Sequence, residues 1–129
     1  MSLRPPRQYT SALENPFEAE LEHEVLAEKA STLSRLTRKL DDALAKLAAS
    51  ERRLEELTGS GEGDETTRQR IRREHRAAEA AEALWHVIIQ RELCGLRQHR
   101  TFMDDLQVPR AIRLRMGPKK IRQKDSPED

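Results

Sequence analysis

The stretch LAEKASTLSRLTRKLDDALAKLAASERRL, residues 26–54, sets Leu26, Leu33, Leu40, Leu47 and Leu54 seven residues apart with no proline between them. That period is the seam of a long helix packed lengthwise against another helix. With these leucines at heptad position a, the d positions are Lys29, Leu36, Ala43, Ser50 and Leu57, and the e positions Ala30, Thr37 and Leu44 are small or apolar. A two-stranded coiled coil favours charge at e, so the wider stripe points to a helix with more than one neighbour.

Working outward toward the amino terminus, Asn15 is a helix cap, Pro16 suits the first helical position, and Glu18 falls three residues after the cap. Glu18, Glu20, Glu22 and Glu24 then load negative charge at the positive end of the helix. A first helix is expected over about 16–57, and residues 1–14, with Arg4, Pro5, Pro6 and Arg7 and no periodicity, are expected to be a disordered arm.

Toward the carboxyl terminus, Thr58-Gly59-Ser60-Gly61-Glu62-Gly63 ends the helix and Asp64 restarts one as its cap. Ile71, Ala78, Ala81, Trp85, Ile88, Ile89, Leu96 and Met103 carry the second pattern to Pro109, predicting a helix over about 64–106 and an antiparallel hairpin. Residues whose numbers sum to about 122 then face each other. Arg68, Arg70, Arg72 and Arg73 fall near Glu51, Glu55 and Glu56; Arg97 and Arg100 fall near Glu20, Glu22 and Glu24; Phe17, Leu21, Phe102 and Leu106 gather at the open end. A short third helix over about 109–116 and a charged disordered tail over 118–129 complete an ordered unit of 15–117.

Composition agrees with this all-α reading. Ala, Glu, Lys, Leu and Arg fill 70 of 129 positions, and 36% of residues are charged, against roughly 25% in an average domain. Beta-branched and aromatic residues are never gathered into alternating runs, which argues against strands.

Leu84, Trp85, Ile88 and Ile89, with Val87 between them, point to several sides of one helix and need more cover than a single partner helix supplies. Either a second copy of the chain, giving a homodimeric four-helix bundle, or the returning carboxy-terminal segment can provide it. The homodimer is expected first, with Leu84, Trp85, Ile88 and Ile89 as its interface.

The sharpest charge feature is 107–124, where Arg110, Arg113, Arg115, Lys119, Lys120, Arg122 and Lys124 give +7 with no acidic residue. Such a run can neutralise the phosphates of nucleic acid or another polyanion, or lie as a solvated tail. No aromatic residue interleaves it to stack on bases, and the acidic residues before the leucine repeat exclude a basic zipper. Net charge is only +1, so the whole chain has no strong field to draw it to either.

Chemistry is sparsely signalled. Glu20 and His23 have the Glu-x-x-His spacing of di-iron bundles, with His99 across the hairpin, but the motif occurs once where such sites use it twice. Gly59, Gly61 and Gly63 lack the preceding strand and following Lys-Ser or Lys-Thr of a phosphate loop. Cys94, the single cysteine, reads as a packing residue and fits a reducing compartment. No cofactor, catalytic group or membrane span is expected, and a cytoplasmic interaction or scaffold protein is.

The span from about Phe17 to Pro118, above all Trp85-His86-Val87-Ile88-Ile89-Gln90-Arg91-Glu92 leading through Cys94-Gly95-Leu96-Arg97 to Val108-Pro109, resembles small uncharacterised bacterial all-helical proteins grouped as a domain of unknown function. The resemblance implies no catalytic or binding residues.

Overall fold

The computed structural model describes residues 15–61 and 63–118. Four helices follow one another: α1 (Pro16–Gly59), α2 (Asp64–Leu93), α3 (His99–Asp105) and α4 (Arg110–Leu114). The expected disordered arm over 1–14 and nearly all of the expected tail lie outside the described residues.

Capping starts α1 as the sequence dictates. Asn15 Oδ1 accepts from the Glu18 amide at 3.1 Å, while the Asn15 side-chain amide donates to the Glu18 carboxylate at 3.0 Å. At the turn, α2 begins at Asp64, where the helix is expected, but extended Gly63 and not Asp64 occupies the cap position. The Glu65 carboxyl in that first turn is held below its ordinary range, chiefly by a hydrogen bond from Arg68 and then by one from Gln69.

The hairpin is antiparallel. Arg73 reaches to 3.9 Å from Glu51, and the Gln90 side-chain amide donates to the Lys29 carbonyl at 3.1 Å. Leu40 and Leu47 of the heptad are buried, and Leu33, Leu36, Ala43 and Leu44 pack against the same core. Other pairs are local: Arg68 pairs with Glu65, Arg76 with Glu79 and Arg53 with Glu56, each within one turn of its own helix.

The expectation of equal helices is corrected. Helix α1 has 44 residues and α2 has 30, lengths of about 66 and 45 Å at 1.5 Å per residue. Gly95 stops α2: it takes φ +85°, its amide donates to the Glu92 carbonyl at 3.0 Å, and the Leu96 amide donates to Arg91 at 2.9 Å. These two bonds satisfy the last carbonyls with a left-handed residue, the conformation glycine adopts at least cost. A second cap of the same kind ends α3, with the Gln107 amide on Asp104 and the Val108 amide on Met103, both at 3.0 Å. Here the left-handed residue is Gln107, φ +56°, which costs about 1–2 kcal/mol relative to a right-handed conformation. Burial of Val108 immediately after it is worth a similar or larger amount, about 1.5–3 kcal/mol.

These two turns fold the chain back on itself. Val108 and Ile112 enter the core, Phe102, Met103 and Leu106 pack beside it, and α4 lies against α2. Helix α2 is therefore the middle layer, with α1 on one side and the returning segment on another. Its run of Ala77, Ala78, Ala80, Ala81 and Ala83, all buried, lets both neighbours approach closely. Leu84 and Val87 are wholly enclosed. The cover expected first from a second copy is thus supplied, for Leu84 and Ile88, by the same chain.

Candidate functional site

Because α2 ends early, α1 outruns it. Every residue from 15 to 28 is exposed, and Lys29, whose carbonyl accepts from Gln90 and lies 3.7 Å from Cys94 Sγ, marks the end of the paired region. About 20 Å of helix projects beyond it. On this segment Phe17, Leu21, Val25 and Leu26 are 76%, 50%, 46% and 62% exposed. At 3.6 residues per turn the first three lie within about 80° of one another, in a stripe that adjoins the leucine seam, Val25 sharing the azimuth of Ala43. Five glutamates, Glu18, Glu20, Glu22, Glu24 and Glu28, surround them, with no lysine or arginine from 16 to 28.

The corner that diverts the chain from α1 is tightly knit. Arg91 donates Nε to His99 Nδ1 at 3.2 Å and Nη2 to the Gln98 carbonyl at 3.2 Å, and its guanidinium lies 4.2 Å over the Phe102 ring. With Nδ1 accepting from Arg91, the ring hydrogen sits on Nε2 and points to the Glu92 carboxylate, 3.2 Å away. Arg97 and Arg100, expected beside Glu20, Glu22 and Glu24, form no ion pair with them, and Phe102 and Leu106 pack on the core instead of meeting Phe17 and Leu21.

The expected dimer interface is split by the fold. Leu84 and Ile88 are buried within the chain, Trp85 is half-buried with its ring 5.3 Å from that of His86, and Ile89 is 42% exposed. The cationic segment is partly committed as well: Arg113 pairs with Asp104 at 2.8 Å and donates to the Val108 carbonyl, and Arg115 pairs with Glu74. Arg110 is exposed, and Lys119, Lys120, Arg122 and Lys124 lie outside the described residues.

Glu20 and His23 stand on the projecting segment while His99 is held in the α2–α3 corner, so the hairpin does not assemble them. Among the described residues no group of three or more His, Cys, Asp or Glu side chains is placed to hold a metal ion. A shallow groove of about 270 Å³ between α1 and α2 is lined by Lys39, Asp42, Lys46, Glu79, Glu82 and His86 with Ala43 and Ala83, a mixture of both charges open to solvent. No helix among the described residues is long and apolar enough to cross a membrane. No family model, curated protein or solved structure matches the chain, so its own residues carry the functional reading.

The exposed stripe at Phe17, Leu21 and Val25 is the feature that sequence reasoning passed over. Its signal was the four-residue spacing of Phe17, Leu21 and Val25, an apolar stripe that begins before the seven-residue repeat starts at Leu26.

Proposed function

We propose that this chain is a non-enzymatic helical interaction or scaffold protein of the cytoplasm, and that the projecting segment of α1 is its docking element. One observation carries the reading: residues 16–28 are helical and exposed throughout, and leave Phe17, Leu21, Val25 and Leu26 open to solvent. A helix gains little from propensity alone, and an apolar stripe left in water contributes nothing to the fold. The same stripe laid in a groove of another chain is a recurrent mode of helix recognition, read through anchors four residues apart. The single thiol, Cys94, is in keeping with a reducing compartment.

The double variant Phe17→Glu/Leu21→Glu separates docking from folding. Because both side chains are exposed, its stability is expected to stay within about 0.5 kcal/mol of the parent, measured by urea unfolding in dilute solution, where association adds nothing. Used as bait, the parent is expected to hold at least one specific protein partner, another copy of this chain included, that the variant loses. Equal recovery by both would overturn the reading.

Polyanion binding through 107–124 is the second reading, favoured by the +7 of that segment. With Arg113 and Arg115 engaged in ion pairs, it falls chiefly to Arg110, Lys119, Lys120, Arg122 and Lys124. It expects binding of a labelled oligonucleotide to weaken steeply with salt and to vanish when those five are neutralised; binding indifferent to their loss removes it.

A further inference from the structure

We propose that a second copy of this chain covers the projecting segment, the Phe17–Leu21–Val25 face of each protomer, rimmed by its glutamates, seating on the cationic carboxy-terminal segment of the other from Arg110 onward. This rests on the interaction reading and names its partner.

Charge selects the arrangement. Residues 16–28 carry −5 and residues 107–124 carry +7 within one chain whose net charge is +1. Two projecting segments laid on each other would bring ten carboxylates together, a repulsion that salt screens only beyond about 8 Å. Laid instead on the cationic segment, each brings opposite charges into register around its apolar stripe, the arrangement that fixes partner and orientation.

The complementary surface exists on the same protomer but is out of reach. Met116, Gly117 and Pro118 lie against Ala78 and Ala81, so the described chain ends twelve or more residues of α2, about 18–22 Å, short of Leu93. The projecting segment begins there and runs about 20 Å farther. Residues 119–124, fully extended, span at most about 22 Å and bring their cations only to its base.

A two-fold axis satisfies both contacts at once. The centre of each projecting segment lies about 10 Å beyond the end of α2, and the described end of the cationic segment, Arg115 to Pro118, lies about 18–22 Å before that end. An antiparallel pair that superposes the two has its axis about 6 Å before the end, at the level of Ile89. Ile89 and Leu93, 42% and 58% exposed, are the apolar side chains that α2 leaves uncovered there. The contact is isologous and closes as a dimer, with no free end to propagate.

Light scattering after size exclusion, run across a concentration and salt series on the full chain, reads this out. A species of twice 14.9 kDa is expected, dissociating toward one chain at about 1 M salt, where the Debye length is about 3 Å. Phe17→Glu/Leu21→Glu is expected to weaken self-association about a hundredfold or more. Glu20→Lys/Glu22→Lys/Glu24→Lys, which turns the −5 of 16–28 into +1, is also expected to abolish the dimer, and adding Arg110→Glu/Lys119→Glu/Lys120→Glu/Arg122→Glu/Lys124→Glu in the same chain, which turns the +7 of 107–124 into −3, to restore it. Carbodiimide cross-links between Glu20, Glu22 or Glu24 and Lys119, Lys120 or Lys124 are expected to join labelled to unlabelled chains in a mixed-isotope sample. A monomer at every concentration, or a dimer indifferent to these substitutions, would overturn the proposal. If that monomer still loses a different protein partner with Phe17→Glu/Leu21→Glu, self-docking fails and the interaction reading stands.

Discussion

Leu84→Ala is expected to destabilise the protein by about 2–5 kcal/mol, a large part of the 5–15 kcal/mol that holds a typical domain together. Leu84 has no exposed surface and sits on the middle helix, in the cluster that joins Leu40 and Leu47 of α1 to Val108 and Ile112 of the returning segment. Truncation removes buried methyl groups and opens a cavity that its alanine neighbours Ala80, Ala81 and Ala83 are too short to fill. Urea unfolding measures the loss as a lower midpoint with a nearly unchanged slope. A change below about 0.5 kcal/mol, the level of an ordinary surface substitution, would mean that Leu84 is not enclosed. The same variant distinguishes the observed fold from a chain whose Leu84 face is covered only by a second copy. In that case its cost would vary with protein concentration, because association would supply the burial. The fold described here expects the cost to be independent of concentration.

Ile112→Asp is the other large effect, and it acts by a different route. An unpaired carboxylate cannot remain where Ile112 is buried, since its desolvation costs more than the segment gains by staying docked. The chain relieves this by peeling α4 from α2, which limits the loss to the burial of Ile112 and Val108, about 3–6 kcal/mol at 1.5–3 kcal/mol for each side chain. Hairpin helicity by circular dichroism is expected to persist, because α1 and α2 still share their seam. Trypsin cleavage after Arg110 and Arg113 is expected to accelerate sharply, since detachment also frees Arg113 from Asp104 and Arg115 from Glu74. Unchanged cleavage would show that α4 is not held by Ile112.

The elements best written in the sequence were those that rest on local chemistry and long periodicity. Asn15-Pro16 with Glu18 marked the start of α1, the leucine repeat marked its buried face, and the glycine cluster marked the hairpin turn. The course after Leu93 was misread for two separate reasons. Gly95, preceded by Arg91 in the last turn, is an ordinary helix stop, and the apolar pattern through Leu96 and Met103 masked it. Gln107 offers no such sign. A left-handed glutamine is selected by the burial of Val108 and Ile112 just after it, and so depends on a tertiary contact that no local propensity contains. The alanine run at 77–83 could have shown that α2 is packed on two sides, because small residues at positions all round a helix serve close neighbours.

The projecting segment was hidden by the same error. With α2 drawn to residue 106, the amino-terminal turns of α1 had a partner helix; with α2 ending at Leu93, Phe17, Leu21 and Val25 are left exposed. Its charge was legible throughout, as five glutamates with no cation between Pro16 and Glu28. The significance of that charge depends on where the opposite charge lies, which only the fold-back of α3 and α4 determines.

Amide hydrogen exchange resolved along α1, comparing the parent chain with Phe17→Glu/Leu21→Glu, tests the central claim that residues 16–28 form a helix without support from their own chain. In the variant, exchange is expected to be fastest in the helices over 16–28 and slow around Leu40, Leu47, Leu84 and Val87, where burial is deepest. In the parent at high concentration, protection of 16–28 is expected to rise while that around Leu40 and Leu84 stays the same. Protection of 16–28 equal to that of 33–54 in a variant sample of 14.9 kDa would contradict the account, because some other part of the same chain would then have to cover the segment.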